Sequence, residues 1–217
     1  MSNKIVGIIW DFGKVLASFD HLKACKKLAC YCNIPPVLIL ERLFSGENAP
    51  AKLHELGRIS SQQFYNEVLR LLPFSKDITF SEFSEIWKDI FRENRGISTL
   101  IGKVRSEIKQ CICSNTDPIH WSAIEQLPVM KKYFSNPALL TRSYTSGARK
   151  PNVKIFLDAL ASLHMEEGDA NHVLYIEDIA AYRQVFLVMG GNVLSYDCTV
   201  DKMIELKRRL YKYGVLE

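Results

Sequence analysis

The chain has 217 residues, 47% hydrophobic and 24% charged, with a formal net charge of +4. These are the proportions of an ordinary soluble globular protein with one sizeable core, or a core plus a smaller insert. The weak, dispersed charge argues against a nucleic-acid binder, and no secretory signal or membrane-length apolar run is present. Six cysteines without a CxxC pair or finger spacing are expected to be reduced thiols in a cytoplasmic protein.

The first strong element is the apolar run 5–10, rich in β-branched residues, which predicts a strand buried on both faces. It ends in Asp11, with Gly13 two residues on. A short extended excursion over 14–20 precedes a helix over 21–32, carried by Leu22, Cys25, Leu28, Ala29 and Cys32 at helical spacing. Pro35-Pro36 starts a second helix over 37–44. A loop over 45–50 leads into a brief helix over 51–56, stopped by Gly57. Ser60-Ser-Gln-Gln63 and Thr79-Phe-Ser-Glu82 both have capping-box spacing and head apolar stripes through Phe64, Val68 and Leu71 and through Phe83, Trp87 and Ile90. Residues 17–95 thus read as helical, with no convincing strand.

From residue 97 the pattern changes to helices alternating with short apolar strands. Helices are expected over 97–108, 120–127, 152–163 and 179–189, and strands over 110–113, 139–143, 172–176 and 192–196. An amphipathic helix with a solvated basic face closes the chain over 202–212. No internal repeat or low-complexity segment is present. The alternation predicts an α/β domain with a doubly wound parallel sheet, residues 1–16 and 96–217, carrying a helical insert over 17–95.

Four polar clusters fall at strand ends or just beyond: Asp11, Ser114-Asn115, Lys150 and Glu177-Asp178. In parallel sheets these ends open into the ligand crevice. Alone, Asp11 and Glu177-Asp178 read as well as turns, Ser114-Asn115 as a helix cap and Lys150 as a solvated charge. Together they suit one chemistry. The acidic pair with Asp11 offers hard oxygen ligands for Mg²⁺. The metal, a lysine and a hydroxyl then neutralise a phosphate dianion that a carboxylate attacks.

The order of these clusters resembles the haloacid dehalogenase (HAD) superfamily of hydrolases over nearly the whole chain. Asp11-Phe-Gly-Lys-Val-Leu resembles its first motif and Cys113-Ser-Asn-Thr its second. Arg149-Lys150-Pro151 resembles the third and Tyr175-Ile-Glu-Asp178 the fourth. The insert is similar to the small helical cap of the branch containing sugar-phosphate phosphatases and epoxide-hydrolase phosphatase domains. The resemblance implies a Rossmann-like core and a Mg²⁺-dependent phosphatase of a small phosphorylated metabolite, monomeric or dimeric, with no nucleic-acid or membrane partner. It implies Asp11 as nucleophile and metal ligand, and Gly13 as a ligand through its backbone carbonyl. Asp178 is implied as a direct metal ligand and Glu177 as a ligand directly or through a water. Ser114, the Asn115 backbone N–H and Lys150 are implied to hold the phosphoryl group.

The main departure is Gly13, where most phosphatases of the superfamily carry a second aspartate as general acid and base, a role worth about 10²–10⁴-fold. Lys14, Ile179 and Tyr182 are further departures. Two alternatives follow: a binding protein that keeps the fold without turnover, or a 2-haloacid dehalogenase, which needs neither the second carboxylate nor a metal. The acidic pair argues for a cation and against the last. From the insert, Glu47, Asn48, His54 and Arg58 are candidates to face the site, each reading more readily by itself as a solvated surface residue, and His54 is the candidate substitute acid.

Overall fold

The computed structural model describes residues 4–217. At its centre lies β1 (Gly7–Trp10), whose four residues are all buried. The remaining sheet strands are β4 (Lys109–Ser114), β5 (Leu140–Arg142), β6 (Val173–Glu177) and β7 (Asn192–Ser195), in the order β5-β4-β1-β6-β7. All pairings are parallel. The chain builds outward from β1 to β4 and β5, then crosses back to β6 and β7. The crevice where these directions diverge lies beyond the carboxyl end of β1, which is where Asp11 stands.

Alternation along the strands explains why the run is apolar throughout, since successive side chains serve opposite faces. Ile8 and Trp10 join Ile112, Ile176 and Trp121 on one face, with Leu206 and Leu210 of α12 (Met203–Lys212). Ile9 joins Cys111, Cys113 and Tyr175 on the other, under Phe156 and Leu160 of α10 (Val153–Ser162) and Phe186 of α11 (Ala180–Val188). The six cysteines are free thiols, four of them buried.

After β1 come β2 (Ala17–Phe19), α1 (His21–Cys32), α2 (Pro36–Phe44), α3 (Pro50–Glu55), α4 (Ser61–Leu71) and α5 (Phe80–Lys88). These helices enclose an apolar cluster of their own around Phe64, Phe83 and Trp87. Both expected capping boxes are formed, Ser60 with Gln63 and Thr79 with Glu82. The expectation of no strand in 17–95 is corrected by β3 (Phe91–Glu93), which pairs antiparallel with β2. Three residues are too few to display a period of two, so the pair is invisible to pattern reading.

Two expected helices also differ, and two further helices are unexpected. The helix expected over 97–108 is only α6 (Ile97–Ile101). It stops at Gly102, and the chain beyond turns to meet the C-terminal end, with Val104 bridged to Leu216 and Arg105 N–H donating to the Val215 carbonyl. The helix expected from residue 120 is α7 (Pro118–Ile124), started earlier by an Asp117 cap, and a separate α8 (Pro128–Tyr133) follows behind its own proline. A one-turn helix, α9 (Ser143–Ser146), follows β5. Among the described residues no helix is long and apolar enough to cross a membrane.

Candidate functional site

The strand ends and one loop bring four of the sequence-marked residues to one buried point. Asp11 follows β1, its backbone N–H continuing the ladder to the Ile176 carbonyl at 3.0 Å. Glu177 ends β6, with Asp178 next. Lys150 reaches in from the loop before α10. Its Nζ lies 2.5 Å from Asp11 Oδ1, 2.7 Å from Glu177 Oε2 and 3.2 Å from the Cys113 carbonyl. The lysine is thus threaded between two carboxylates, and the rings of Tyr175 and Tyr182 flank it at 5.8 and 5.3 Å.

Glu177 is fully committed. Its Oε2 accepts from Lys150 and from the Tyr175 hydroxyl, and its Oε1 accepts from the Ile179 N–H at 3.0 Å. Burial opposes its ionisation, but Lys150 outweighs this and holds Glu177 below the usual carboxylate range. Burial likewise opposes the charge on Lys150, and Asp11 and Glu177 together keep it protonated. Asp11 has a deficit of positive partners: burial, then Glu177, pushes it up to about 8 against the pull of Lys150. Burial and the neighbouring Glu177 push Asp178 up to about 7.

Asp11, Glu177 and Asp178 each offer an oxygen within 4.8 Å of the others. Three carboxylates crowd one buried lysine, which is why Asp11 and Asp178 hold their protons high, and a hard divalent cation suits such an all-oxygen set. Because Glu177 already has three partners, Asp11 and Asp178 are the carboxylates with free capacity. Lys14, held at φ 56, places its Nζ 3.6 Å from both Asp178 and Asp197, with its side chain 39% exposed. That is a loose, solvated pairing rather than an internal substitute for the ion.

Ser114 ends β4 at the cavity floor and is buried. Asn115 has a side-chain use that its sequence context did not show. Its Oδ1 accepts from the Lys150 backbone N–H at 2.8 Å, and its Nδ2 donates to the Lys150 carbonyl at 3.1 Å. This pair of bonds fixes the loop that aims the lysine. Gly13 lines the cavity through its backbone, and the ring of Phe19 from β2 covers it.

Above these groups is a cavity of about 340 Å³ whose far wall comes from the helical segment. The insert residues that are candidates to face it do not. Glu47, Asn48 and Arg58 are exposed elsewhere. His54 is buried, stacked on Phe64, bonded to Ser61 and turned toward Asp117. Helical spacing around α3 does not reveal which face turns inward, and the side chain that does is Glu55. Its Oε2 lies 2.6 Å from Arg149 Nε, joining the helical segment to the loop of Lys150. Burial pushes Glu55 up, against the pull of Arg149.

The other wall residues from this segment are Phe19, His21, Phe44 and Phe91, with His120 from α7. His120 has both ring nitrogens engaged, Nδ1 with Asp117 Oδ2 at 2.6 Å and Nε2 with the Trp87 carbonyl at 3.1 Å. His21 Nδ1 is buried without a partner among the described residues. Burial and nearby His120 push His21 down to about 3, leaving a neutral imidazole.

No family model matches the chain, and no curated protein matches it. Solved structures do. A predicted HAD-like family hydrolase from Porphyromonas gingivalis superposes with a TM-score of 0.78 at 20% identity, over 96% of this chain and 98% of that one. A HAD family enzyme from Bacteroides thetaiotaomicron, in complex with magnesium and inorganic phosphate, gives 0.74 at 18% identity over 93% and 98%. L-2-haloacid dehalogenase from Xanthobacter autotrophicus gives 0.61 at 14% identity over 97% and 84%. The chain therefore has the haloacid dehalogenase-type fold, an α/β core around a five-stranded parallel sheet.

Proposed function

We propose that this protein is a Mg²⁺-dependent phosphatase of small phosphorylated metabolites, with Asp11 as nucleophile. The observation that carries the reading is the meeting of Asp11, Lys150, Glu177 and Asp178 at one buried point. Asp11 and Asp178, with the carbonyl of residue 13, would hold the ion, and Glu177 would act through a water. When bound, Mg²⁺ neutralises charge on the phosphoryl oxygens. The Bacteroides structure, with magnesium and phosphate together, supports this pairing of ligands.

An Asp11 oxygen attacks phosphorus, and the bond from phosphorus to the leaving-group oxygen breaks. The resulting aspartyl-phosphate is cleaved by water at phosphorus, releasing phosphate and restoring Asp11. Lys150 holds Asp11 in place and offsets the negative charge of the incoming phosphoryl group. The Ser114 hydroxyl donates to a phosphoryl oxygen, and Asn115 keeps the Lys150 loop in register. Residues 17–95 act as a cap over residues 1–16 and 96–217, excluding bulk water from the cavity.

With glycine at position 13, the leaving group departs without a dedicated acid. His120 has no free ring nitrogen and His21 is neutral, while Glu55, whose protonated form burial favours, has its Oε2 engaged by Arg149. The substrates favoured are therefore phosphates with stable leaving groups, such as anomeric sugar, acyl and aryl phosphates. A second reading, 2-haloacid dehalogenase, is favoured by Gly13 and by the Xanthobacter neighbour. The carboxylates crowded around Asp178 weigh against it. A phosphate-release screen over a metabolite panel, with and without Mg²⁺, and halide release from 2-chloropropionate separate the two. Mg²⁺-dependent phosphate release supports the first reading; halide release alone replaces it with the second.

A further inference from the structure

The cavity above Asp11 is polar at its floor and aromatic on the wall that faces it. Phe91, Phe19, His21 and Phe44 form one continuous surface. Phe19 and Phe91 have centroids 6.3 Å apart, Phe19 and His21 5.1 Å, and His21 and Phe44 4.6 Å. Edge-on and tilted contacts dominate the run, with interplanar angles of 66° and 49° at His21. Rings set in this way present both faces and edges, which is the surface another planar ring packs against.

The same wall offers little to a polyhydroxylated group. Its charged members, Glu55 and Arg149, are already paired at 2.6 Å. His120 is tied to Asp117 and Trp87. Among the described residues the unpartnered polar atoms beside this wall are His21 Nδ1 and Thr116 Oγ1, so a sugar brought here would bury most of its hydroxyls against rings, which opposes binding. An aromatic ring would not. A cavity of about 340 Å³ is at the small end of the range for ligand pockets and suits one substituted ring beside the phosphate.

From this wall we infer that the protein's substrate is an aryl phosphate, with the phosphate on Asp11 and Lys150 and the aromatic ring against Phe19, His21, Phe44 and Phe91. The inference rests on the phosphatase reading for the position of the phosphate. It narrows the leaving group from several stable classes to one. The missing acid and the aromatic wall then have a common explanation, because an aryl oxide leaves without protonation and needs an apolar berth.

Phosphonates, whose carbon–phosphorus bond resists hydrolysis, test the inference apart from turnover. Phenylphosphonate and methylphosphonate are titrated calorimetrically in Mg²⁺ into the wild type and into Phe44→Ala, with circular dichroism checking that the variant is folded. Glucose 1-phosphate is titrated into Asp11→Asn alongside phenyl phosphate. Phenylphosphonate should bind at least tenfold tighter than methylphosphonate, and Phe44→Ala should bring that ratio down severalfold. In Asp11→Asn, phenyl phosphate should bind tighter than glucose 1-phosphate. Equal affinity for the two phosphonates, a ratio unchanged in folded Phe44→Ala, or preference for the sugar phosphate overturns the inference. A phenyl preference without phosphate release from phenyl phosphate upholds the aromatic wall as the ring's binding surface but sinks the hydrolytic reading, and with it the claim that the aryl phosphate is a substrate. Phosphate release from sugar phosphates without a phenyl preference does the reverse.

Discussion

The ring of Phe19 fills the space in which a side chain at residue 13 would begin: a Cβ built on Gly13 lies 2.8 Å from Phe19 Cε1. Glycine here and phenylalanine there are complementary. The carboxylate missing from the first motif has been exchanged for an aromatic surface, so restoring the acid requires making room as well.

Gly13→Asp alone should therefore destabilise the protein, by about 1–3 kcal/mol as for other overpacked sites, because Phe19 is itself packed against Phe91 and His21. On a Phe19→Ala background, which loses the packing of that ring, Gly13→Asp should cost little further stability. It should also raise turnover of alkyl phosphates at least tenfold over Phe19→Ala, since a positioned acid contributes about 10²–10⁴-fold. In the wild type, kcat/KM should fall steeply as leaving-group pKa rises. A flat wild-type series would mean that a group such as Glu55 already delivers the proton.

Metal binding should be coupled to protons. Asp11 is raised to about 8 and Asp178 to about 7, so Mg²⁺ must displace protons bound below those values. Affinity should rise from pH 6 to pH 8, with proton release visible as a buffer-dependent heat in calorimetry. Asp178→Ala should lose most of the affinity. Lys14→Ala should gain severalfold, because it removes a cation 3.6 Å from Asp178. Unchanged Mg²⁺ binding in Asp178→Ala would remove this residue from the ligand set.

Acid should weaken the junction between the helical segment and the sheet. Asp117 of the core accepts from Trp87 Nε1 at 3.3 Å and from the His120 N–H at 2.9 Å, and faces His54 at 3.6 Å. Although burial opposes it, His120 and His54 hold Asp117 below its usual value. Its stabilisation is present above the unfolded pKa of 3.8 and is lost as pH falls below that. Burial lowers His54 and lowers His21 to about 3, so between pH 6.5 and 3 the unfolded chain binds more protons than the folded one. The contributions of these groups should be complete above pH 6.5 and decline on acidification, first through the histidines and then through Asp117, while Asp11 and Asp178, raised in the folded chain, act in the opposite sense up to about pH 8. His21→Phe should flatten the pH 4–6.5 part of a thermal-melt series, and an unaltered slope would contradict the role given to His21.

The sheet was legible because its strands are short apolar runs ending in chemistry-bearing residues. Asp11, Ser114 and Glu177 could be marked because parallel strands end at the crevice, and Lys150, in a loop, only by the chemistry it completes with them. The far wall was not legible. Whether His54 or its neighbour Glu55 faces the cavity depends on the roll of a six-residue helix, α3, whose burial is shared between the segment's own core and the sheet domain. Phe19 and Phe91 meet through a three-residue strand pair with no periodic signature. The side-chain bonds of Asn115 depend on the loop around Lys150, 35 residues further along the chain.

The most direct test of the central claim is phosphate release from phenyl phosphate by the wild type and by Asp11→Asn, in Mg²⁺ and in EDTA. Asp11 stands at the end of β1 and adds little apolar packing to the core, so the variant should melt within a few degrees of the wild type. Wild-type turnover should require Mg²⁺, and turnover by Asp11→Asn should fall below detection, because the amide cannot form the aspartyl-phosphate. Retention of more than a few per cent of wild-type activity in the purified variant would contradict the assignment of Asp11 as nucleophile.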